Sequence, residues 1–294
     1  MRTKLILNPK ANKGRSERHF SAILDRLADD GMTFDEVRTT SAGHARDLAA
    51  EAVRRGYQRI ISVGGDGTLY EVVNGILSVD GDPLLGIVPV GTCNDFVKAV
   101  GIPASIAGAC DILRDLSVRK VDVTRVGDRY SINAFGIGFD VAVVQSIKKS
   151  RYTHGFLMYL TAVLHHIFRF KGLQLSLVNG SEHFERNTMM LTVANGTCYG
   201  GNFNIAPHAD VSDGLLNAVL LRDVRPWKRL IVLPRFIRGT HLDLPEVEAF
   251  LTSELVISGK APFTLQMEGE LVPWPSNRVE VKVLPQRLRV IVPG

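Results

Sequence analysis

The stretch Arg59-Ile60-Ile61-Ser62-Val63-Gly64-Gly65-Asp66-Gly67-Thr68 decides the fold. An apolar run of strand length ends in a turn with three glycines. The turn opens onto Leu69, Val72, Val73, Ile76 and Leu77, which are spaced as one face of a helix. Strand, glycine turn and helix in this order suit a phosphate group. Glycine lets the backbone approach an anion closely and adopt positive φ where needed. The following helix aims its free N–H groups and positive dipole end at that anion. Thr68 and Glu71 have the spacing of a capping box at the helix start. Asp66 is the odd residue, because a carboxylate beside phosphates repels them unless a divalent cation lies between. The turn therefore points to a metal-bound nucleoside triphosphate and to a kinase. The alternative is a bland strand-to-helix turn, which needs one glycine and no carboxylate. No Gly-Lys-Ser/Thr follows, so the turn is not a Walker loop, and Gly-Gly-x-Gly is not the dinucleotide fingerprint.

Outward from this turn, the first ~120 residues alternate strand-like and helix-like runs by the periodicity rule. Lys4 to Leu7, Phe34 to Thr39, Arg59 to Val63 and Leu85 to Val90 read as strands. Ser16 to Leu27, His44 to Arg54, Leu69 to Ser78 and Ser105 to Leu116 read as helices. This is the pattern of a Rossmann-like α/β domain with a parallel sheet, whose ligands sit beyond the carboxyl ends of the strands. After Lys120 short β-rich runs separated by Gly, Asn, Asp and Pro, among them Tyr130 to Phe135, Val279 to Val283 and Leu288 to Val292, predict an antiparallel β-sandwich or barrel. Helical periodicity returns at Gly155 to Phe170 and around Trp227 to Arg238. The expected division is 1–122 for the nucleotide domain and 123–284 for the second, with 285–294 returning to the first.

Composition narrows the class. A 45% apolar, 22% charged chain of 294 residues is globular and long enough for two domains. No uninterrupted apolar segment reaches 18 residues, so no transmembrane helix is expected, and the apolar part of Met1 to Pro9 is too short for a signal peptide. Three scattered cysteines, Cys93, Cys110 and Cys198, without a Cys-x-x-Cys pair, argue against a disulfide framework or a zinc site. A cytoplasmic protein is expected. The net charge of +5 is either ordinary solubilising charge or a preference for an anionic membrane surface. No aromatic-basic signature or recognition helix supports nucleic acid.

Four further constellations bear on chemistry. Gly91-Thr92-Cys93-Asn94-Asp95-Phe96 is a second glycine turn after a buried strand, although Asn or Asp there also serves as a helix cap. Asn8-Pro9-Lys10-Ala11-Asn12-Lys13-Gly14 is a polar turn that can face an anion or simply solvent. Asp210-Val211-Ser212-Asp213-Gly214-Leu215 offers hard oxygen ligands suited to Mg²⁺ or Ca²⁺, but Asp-Gly also closes ordinary hairpins. Glu268-Gly269-Glu270 places a carboxylate after a strand, as a general base for a hydroxyl or as a polar hairpin tip. His154, His165 and His166 read as helix-surface residues, since adjacent positions on a helix point about 100° apart.

Taken in order, these elements resemble the soluble bacterial diacylglycerol kinase-like lipid kinases, relatives of eukaryotic diacylglycerol, sphingosine and ceramide kinases. Gly43-His44-Ala45 after Thr39 and the stretch Asn133 to Asp140 add to the likeness, which runs nearly end to end. The resemblance implies an active site between the two domains. By matching position, Asn8, Pro9, Lys10, Ala11, Asn12, Thr39, Gly64, Gly65, Asp66, Gly67, Thr68, Leu69, Tyr70 and Thr92 would bind ATP. Asp210, Asp213 and the carbonyl of Leu215 would hold a structural Mg²⁺, with Asp66 and Asp95 in the acidic network around the metal. Glu270 would accept the proton of the lipid hydroxyl, diacylglycerol being the expected acceptor. Glu268 departs from the more usual Asp, and Asn12 stands where relatives often have Gly. Peripheral contact with the inner membrane face, through the Gly155 to Phe170 helix, and a homodimer are compatible with this reading. The glycine turn alone also fits an NAD or sugar kinase, and a non-catalytic lipid- or nucleotide-binding regulator is the third reading.

Overall fold

The computed structural model describes residues 1–149, 156–201 and 203–294. The first part of the chain runs β1 (Thr3–Leu7), α1 (Ala11–Gly14), α2 (Phe20–Asp29), β2 (Phe34–Arg38), α3 (His44–Arg54), β3 (Arg59–Gly64), α4 (Asp66–Leu77), β4 (Leu84–Pro89), α5 (Asp95–Ala99) and α6 (Ile106–Asp115). β2, β1, β3 and β4 pair side by side, all parallel. Every residue of β3 and β4 is buried, as expected where helices cover both faces of a parallel sheet. Leu5, Ile6, Leu7, Ile60, Ile61 and Leu85 are fully enclosed, each contributing about 1.5–3 kcal/mol of burial.

The second part runs β5 (Val118–Val126), β6 (Arg129–Ser131), β7 (Ala134–Gly138), α7 (Phe139–Lys149), α8 (Phe156–Arg169), β8 (Leu173–Asn179), β9 (Glu182–Ala194), β10 (Leu216–Arg222), α9 (Pro226–Arg238), β11 (Val247–Thr252), β12 (Glu254–Gly259), β13 (Phe263–Met267), β14 (Glu270–Trp274) and β15 (Arg278–Ile291). Its strand pairs are antiparallel, in the path β14-β13-β7-β9-β8-β12-β15. β9 is long enough to serve two sheets: its first half pairs with β8, and Met190 to Ala194 pair with β7 and β10. The two sheets enclose an apolar core that includes Phe135, Leu191, Leu216, Leu255, Leu265 and Val281. A separate core under α7, α8 and α9 covers the outer face of the β7, β9 and β10 sheet. The chain is therefore an N-terminal α/β domain followed by a β-sandwich domain. β15 joins them: its first half pairs with β12, and Arg289 and Val290 then pair parallel with Leu84 and Leu85 of β4.

Several local readings change. The run Tyr130 to Phe135 is two strands, because the N–H groups of Ile132 and Asn133 leave the ladder and donate to Glu268 Oε1 at 3.1 and 2.8 Å. Val279 to Val283 and Leu288 to Val292 belong to one strand, which absorbs Pro285 at a register shift between Leu284 and Leu288. The Gly155 to Phe170 helix is α8, with Gly155 outside the described residues. His154 also lies outside them. His165 is exposed, and His166 is half-buried with its Nε2 2.6 Å from Ser146 Oγ.

The capping box is not formed. α4 begins at Asp66 rather than after Thr68. Glu71 instead accepts the N–H groups of Gly43 and Ala45 at 2.8 and 3.1 Å, closing the amino end of α3. A Glu71→Ala protein should lose about 1–2 kcal/mol of stability, the size of a lost helix cap, as read by urea denaturation. An unchanged midpoint would contradict this assignment.

Candidate active site

The parallel register brings four strand ends to one edge. Leu7 lies opposite both Arg38 and Val63, and Gly64 lies opposite Pro89. The turns that follow, at Asn8, Thr39, Gly65 and Gly91, therefore border one crevice at the carboxyl ends of the strands. They are stitched together. Asn8 Nδ2 donates to Thr68 Oγ1 at 2.8 Å, and the N–H of Thr39 donates to the carbonyl of Leu7 at 2.8 Å. Lys10 Nζ reaches the carbonyl of Thr40 at 3.4 Å, and Thr92 Oγ1 reaches Asn12 Oδ1 at 3.5 Å. Asn12 sits at φ 48°, the left-handed region that asparagine tolerates better than most residues.

The glycines serve close approach, not unusual torsion. Gly64, Gly65 and Gly67 all lie outside the positive-φ region. A Cβ built on Gly91 would stand 2.4 Å from the Cα of Gly65, so the two glycine turns touch backbone to backbone.

Asp66 is the fastener between these turns. Its Oδ2 accepts the N–H of Asn94 at 2.8 Å and its Oδ1 accepts that of Asp95 at 2.7 Å. It thus caps α5 from across the crevice, with Asn94 held at φ 50°. Burial foremost, and the charge of Asp95 after it, raise its pKa, while the two N–H donors oppose the shift. Asp95 is buried and accepts the N–H of Gly201 at 3.0 Å and Lys98 Nζ at 2.9 Å. It ties the α/β domain to the second domain.

The Glu268-Gly269 turn joins β13 to β14, with Met267 paired to Glu270 and both turn residues at positive φ, 51° and 81°. That is the geometry of a type I′ hairpin. The hairpin faces the cleft. Glu270 Oε1 lies 3.3 Å from where a Cβ on Gly67 would stand, and its Oε2 accepts Lys148 Nζ at 2.6 Å. Lys148, near the end of α7, carries no signal of this role in the sequence, where the β-branched run of α7 reads equally well as strand. Glu268 points the other way: its Oε1 accepts Ser131 Oγ at 2.6 Å besides the two N–H groups already described, and burial pushes its pKa up to about 7.

Other expected site residues fall elsewhere. Leu69 packs into the α/β core, and Tyr70 is part of the sandwich core with its hydroxyl toward Met267 Sδ. Asp210 to Leu215 is the turn before β10, not a hairpin. Asp210 Oδ1 holds Arg119 Nη2 at 2.5 Å and the N–H of Ser212 at 3.0 Å, and Asp213 Oδ1 accepts the N–H of Leu215 at 2.9 Å. Asp122, fully buried, fixes this turn by accepting the N–H groups of Gly214 and Gln286, both at 2.7 Å. Because Arg289 is opposite Leu84 in a parallel pair, Gln286 lies beyond the amino end of β4. The glycine turn lies beyond its carboxyl end. Among the described residues Asp66 and Asp95 share no direct hydrogen bond with Asp210 or Asp213. Among the described residues no group of three or more His, Cys, Asp or Glu side chains is placed to hold a metal.

Asp140, at the start of α7, is a second buried acid. Its Oδ1 accepts the N–H of Val141, its Oδ2 has no partner, and burial pushes its pKa up to about 7. In an unfolded chain an aspartate titrates near ~3.9. Between these values the folded protein holds a proton that the unfolded chain releases. The associated stability is therefore complete below the unfolded pKa and is lost as pH rises through about 7. Wild type should lose stability relative to Asp140→Asn as pH rises from about 5 to about 8, read by thermal melts. A difference independent of pH would contradict a raised pKa.

Comparisons agree with this architecture. A family model for the diacylglycerol kinase catalytic domain matches residues 2–126, and one for the YegS C-terminal NAD kinase beta sandwich-like domain matches residues 133–292. A diacylglycerol kinase of Bacillus subtilis (strain 168) is 28% identical over 271 residues, covering 92% of this chain and 89% of that protein. One of Mycobacterium tuberculosis (strain CDC 1551 / Oshkosh) is 29% identical over 297 residues, covering 98% and 94%. A solved structure of a diacylglycerol kinase from Bacillus anthracis str. Sterne has the same fold, with a TM-score of 0.76 at 21% identity, covering 100% of this chain and 97% of that one. No described helix is long and apolar enough to cross a membrane. With both domain models matched in order and the cleft between them built as described, this chain belongs to the bacterial diacylglycerol kinase-like lipid kinase family.

Proposed function

We propose that this protein transfers the γ-phosphoryl group of ATP to the hydroxyl of diacylglycerol or a closely related lipid, with Glu270 as proton acceptor. The observation that carries this reading is the approach of Glu270 to Gly67, which sets a carboxylate of the second domain against the phosphate-facing turn of the first. The crevice at Asn8, Thr39, Gly64 to Thr68 and Thr92 supplies backbone N–H groups and the dipole of α4 to the triphosphate. Phosphoryl transfer asks little more of a protein than positioning and charge stabilisation. The lipid hydroxyl attacks the γ-phosphorus in line, ADP leaves, and Glu270 Oε1 takes the hydroxyl proton as the new P–O bond forms. Lys148 holds Oε2 and so leaves Oε1 turned toward the turn. Asp66 and Asp95 act here by fixing the second glycine turn and the domain contact.

Asp210, Asp213 and the carbonyl of Leu215 suit Mg²⁺ as a hard-oxygen set. Each carboxylate engages its Oδ1 in the turn, leaving Oδ2 for a cation. A cation there would be structural, holding the turn before β10 that Asp122 also fixes. A Mg²⁺ bound with the triphosphate would supply charge neutralisation at the phosphates.

The sandwich domain's likeness to NAD kinases makes NAD the competing acceptor. Purified protein given γ-labelled ATP should label dioctanoylglycerol and not NAD or sugars. Label in NAD would overturn the lipid reading, and no transfer to any acceptor would favour a non-catalytic binding role.

A further inference from the structure

Helix α4 meets the second domain along one face. Gly67, Tyr70 and Asn74 stand at i, i+3 and i+7, so all three positions face the same way. Gly67 faces Glu270 Oε1, and Tyr70 enters the sandwich core with its hydroxyl toward Met267 Sδ. Asn74 acts as a substitute strand. β6 pairs on one side only, with β5. On its open side Asn74 Oδ1 accepts the N–H of Tyr130 at 3.0 Å, and Asn74 Nδ2 donates to the carbonyl of Tyr130 at 2.8 Å. Nδ2 also donates to the carbonyl of Tyr70 at 2.9 Å, so both of its hydrogens are used. The side chain is buried. An aliphatic residue here would leave both backbone groups of Tyr130 without their partner.

The linkage continues past Tyr130. The next three residues, Ser131, Ile132 and Asn133, all donate to Glu268 Oε1, at 2.6, 3.1 and 2.8 Å. The N–H of Glu268 returns to the carbonyl of Ala134 at 3.4 Å. Two residues on from Glu268, across the tight left-handed turn, Glu270 faces Gly67. The connection thus leaves α4 at Asn74 and comes back to α4 at Gly67, two turns earlier on the same face. The helix holds those two points about 10 Å apart. In a closed circuit of this kind, a shift of β6 moves the donors under Glu268, and with them the Glu270 carboxylate.

We infer that Asn74 is a positioning residue for phosphoryl transfer: by clamping β6 to α4 it sets the distance between Glu270 and the phosphate-facing turn. The inference rests on the reading of Glu270 as proton acceptor. Asn74 lies two helical turns from the glycine turn and acts through the hairpin, not on the nucleotide.

Two substitutions in the purified full chain test this, one at each link of the circuit. Asn74→Ala should lower kcat with ATP and dioctanoylglycerol by about 10–100-fold, the cost of a ~1 Å misplacement. The KM for ATP should stay within about twofold. Ser131→Ala removes one hydroxyl under Glu268 and should lower kcat by about threefold. Should Asn74→Ala fail to fold, Ser131→Ala carries the test alone. In a Glu270→Gln background each substitution should cost less than about twofold more, because an absent base cannot be misplaced. A merely structural role would not produce that saturation. Amide hydrogen exchange gives a readout independent of turnover. In Asn74→Ala, exchange should quicken by about tenfold or more at Tyr130, Ile132 and Asn133, and also at Glu268 in the hairpin. Exchange at Glu268 that matches wild type, or kcat losses that multiply with that of Glu270→Gln, would overturn the inference. Full turnover in Glu270→Gln alone would overturn the proton-acceptor reading and this inference with it, an outcome distinct from the other two.

Discussion

Glu270→Gln should fold like the wild type and lose phosphoryl transfer by about 10²–10⁴-fold, the usual contribution of a positioned general base. Folding should survive because the Glu270 side chain is half exposed and its one ion pair, to Lys148, lies near the surface. Such pairs contribute about 0–1 kcal/mol. Transfer should fail because the amide cannot take the hydroxyl proton, although it fills the same space beside Gly67. The loss should fall on kcat and leave the KM for ATP nearly unchanged, since Glu270 comes from the hairpin of the second domain and not from the turns proposed to cradle the triphosphate. A stable Glu270→Gln protein with full turnover would remove Glu270 from the mechanism.

Gly91→Ala should be the most damaging single methyl group in the crevice. Its Cβ would sit 2.4 Å from Gly65 Cα and 2.6 Å from Asn94 Oδ1. Gly91 has no positive φ, so the obstacle is space and not torsion. The nearest neighbour is backbone and cannot rotate away. Asn94 cannot move freely either, because its N–H is held by Asp66 and its Oδ1 accepts the N–H of Gly91 at 3.1 Å. The two turns must separate. A stability loss of about 3 kcal/mol is expected, at the upper end for an overpacked site, together with at least tenfold weaker ATP binding. Urea denaturation and calorimetric titration with ATP read the two effects. A variant with wild-type stability and affinity would show that the turns need not touch.

The α/β half was legible because its physics is local. Strands buried on both faces read as apolar runs, as Ile60 to Val63 does, and glycine turns mark their carboxyl ends. The hidden features depend on residues far apart in sequence. Thr68 and Glu71 carry a correct capping-box spacing, yet Glu71 caps α3, and only the packing of α3 on α4 reveals this. The partners of Asp66, the N–H groups of Asn94 and Asp95, are hidden in the sequence because they lie nearly thirty residues away. α7 escaped notice because Val141, Val143 and Val144 are β-branched and read equally well as strand, and Lys148 was lost with it. β15 looked like two strands because Pro285 normally ends one, and only the register shift beside it makes that proline tolerable. Glu268 and Glu270, two residues apart, have opposite surroundings. The left-handed turn sends one into a nest of donors and the other to the cleft, a division that spacing alone does not encode.

The account rests on one geometric claim, that the glycine turns and the Glu270 hairpin form two walls of a single phosphoryl-transfer site. A crystal structure with a non-hydrolysable ATP analogue, Mg²⁺ and dioctanoylglycerol tests it most directly. The account predicts phosphates against the backbone of Gly64 to Thr68 and the acceptor hydroxyl hydrogen-bonded to Glu270 Oε1. Phosphates bound away from these turns, or an acceptor hydroxyl out of reach of Glu270, would contradict it.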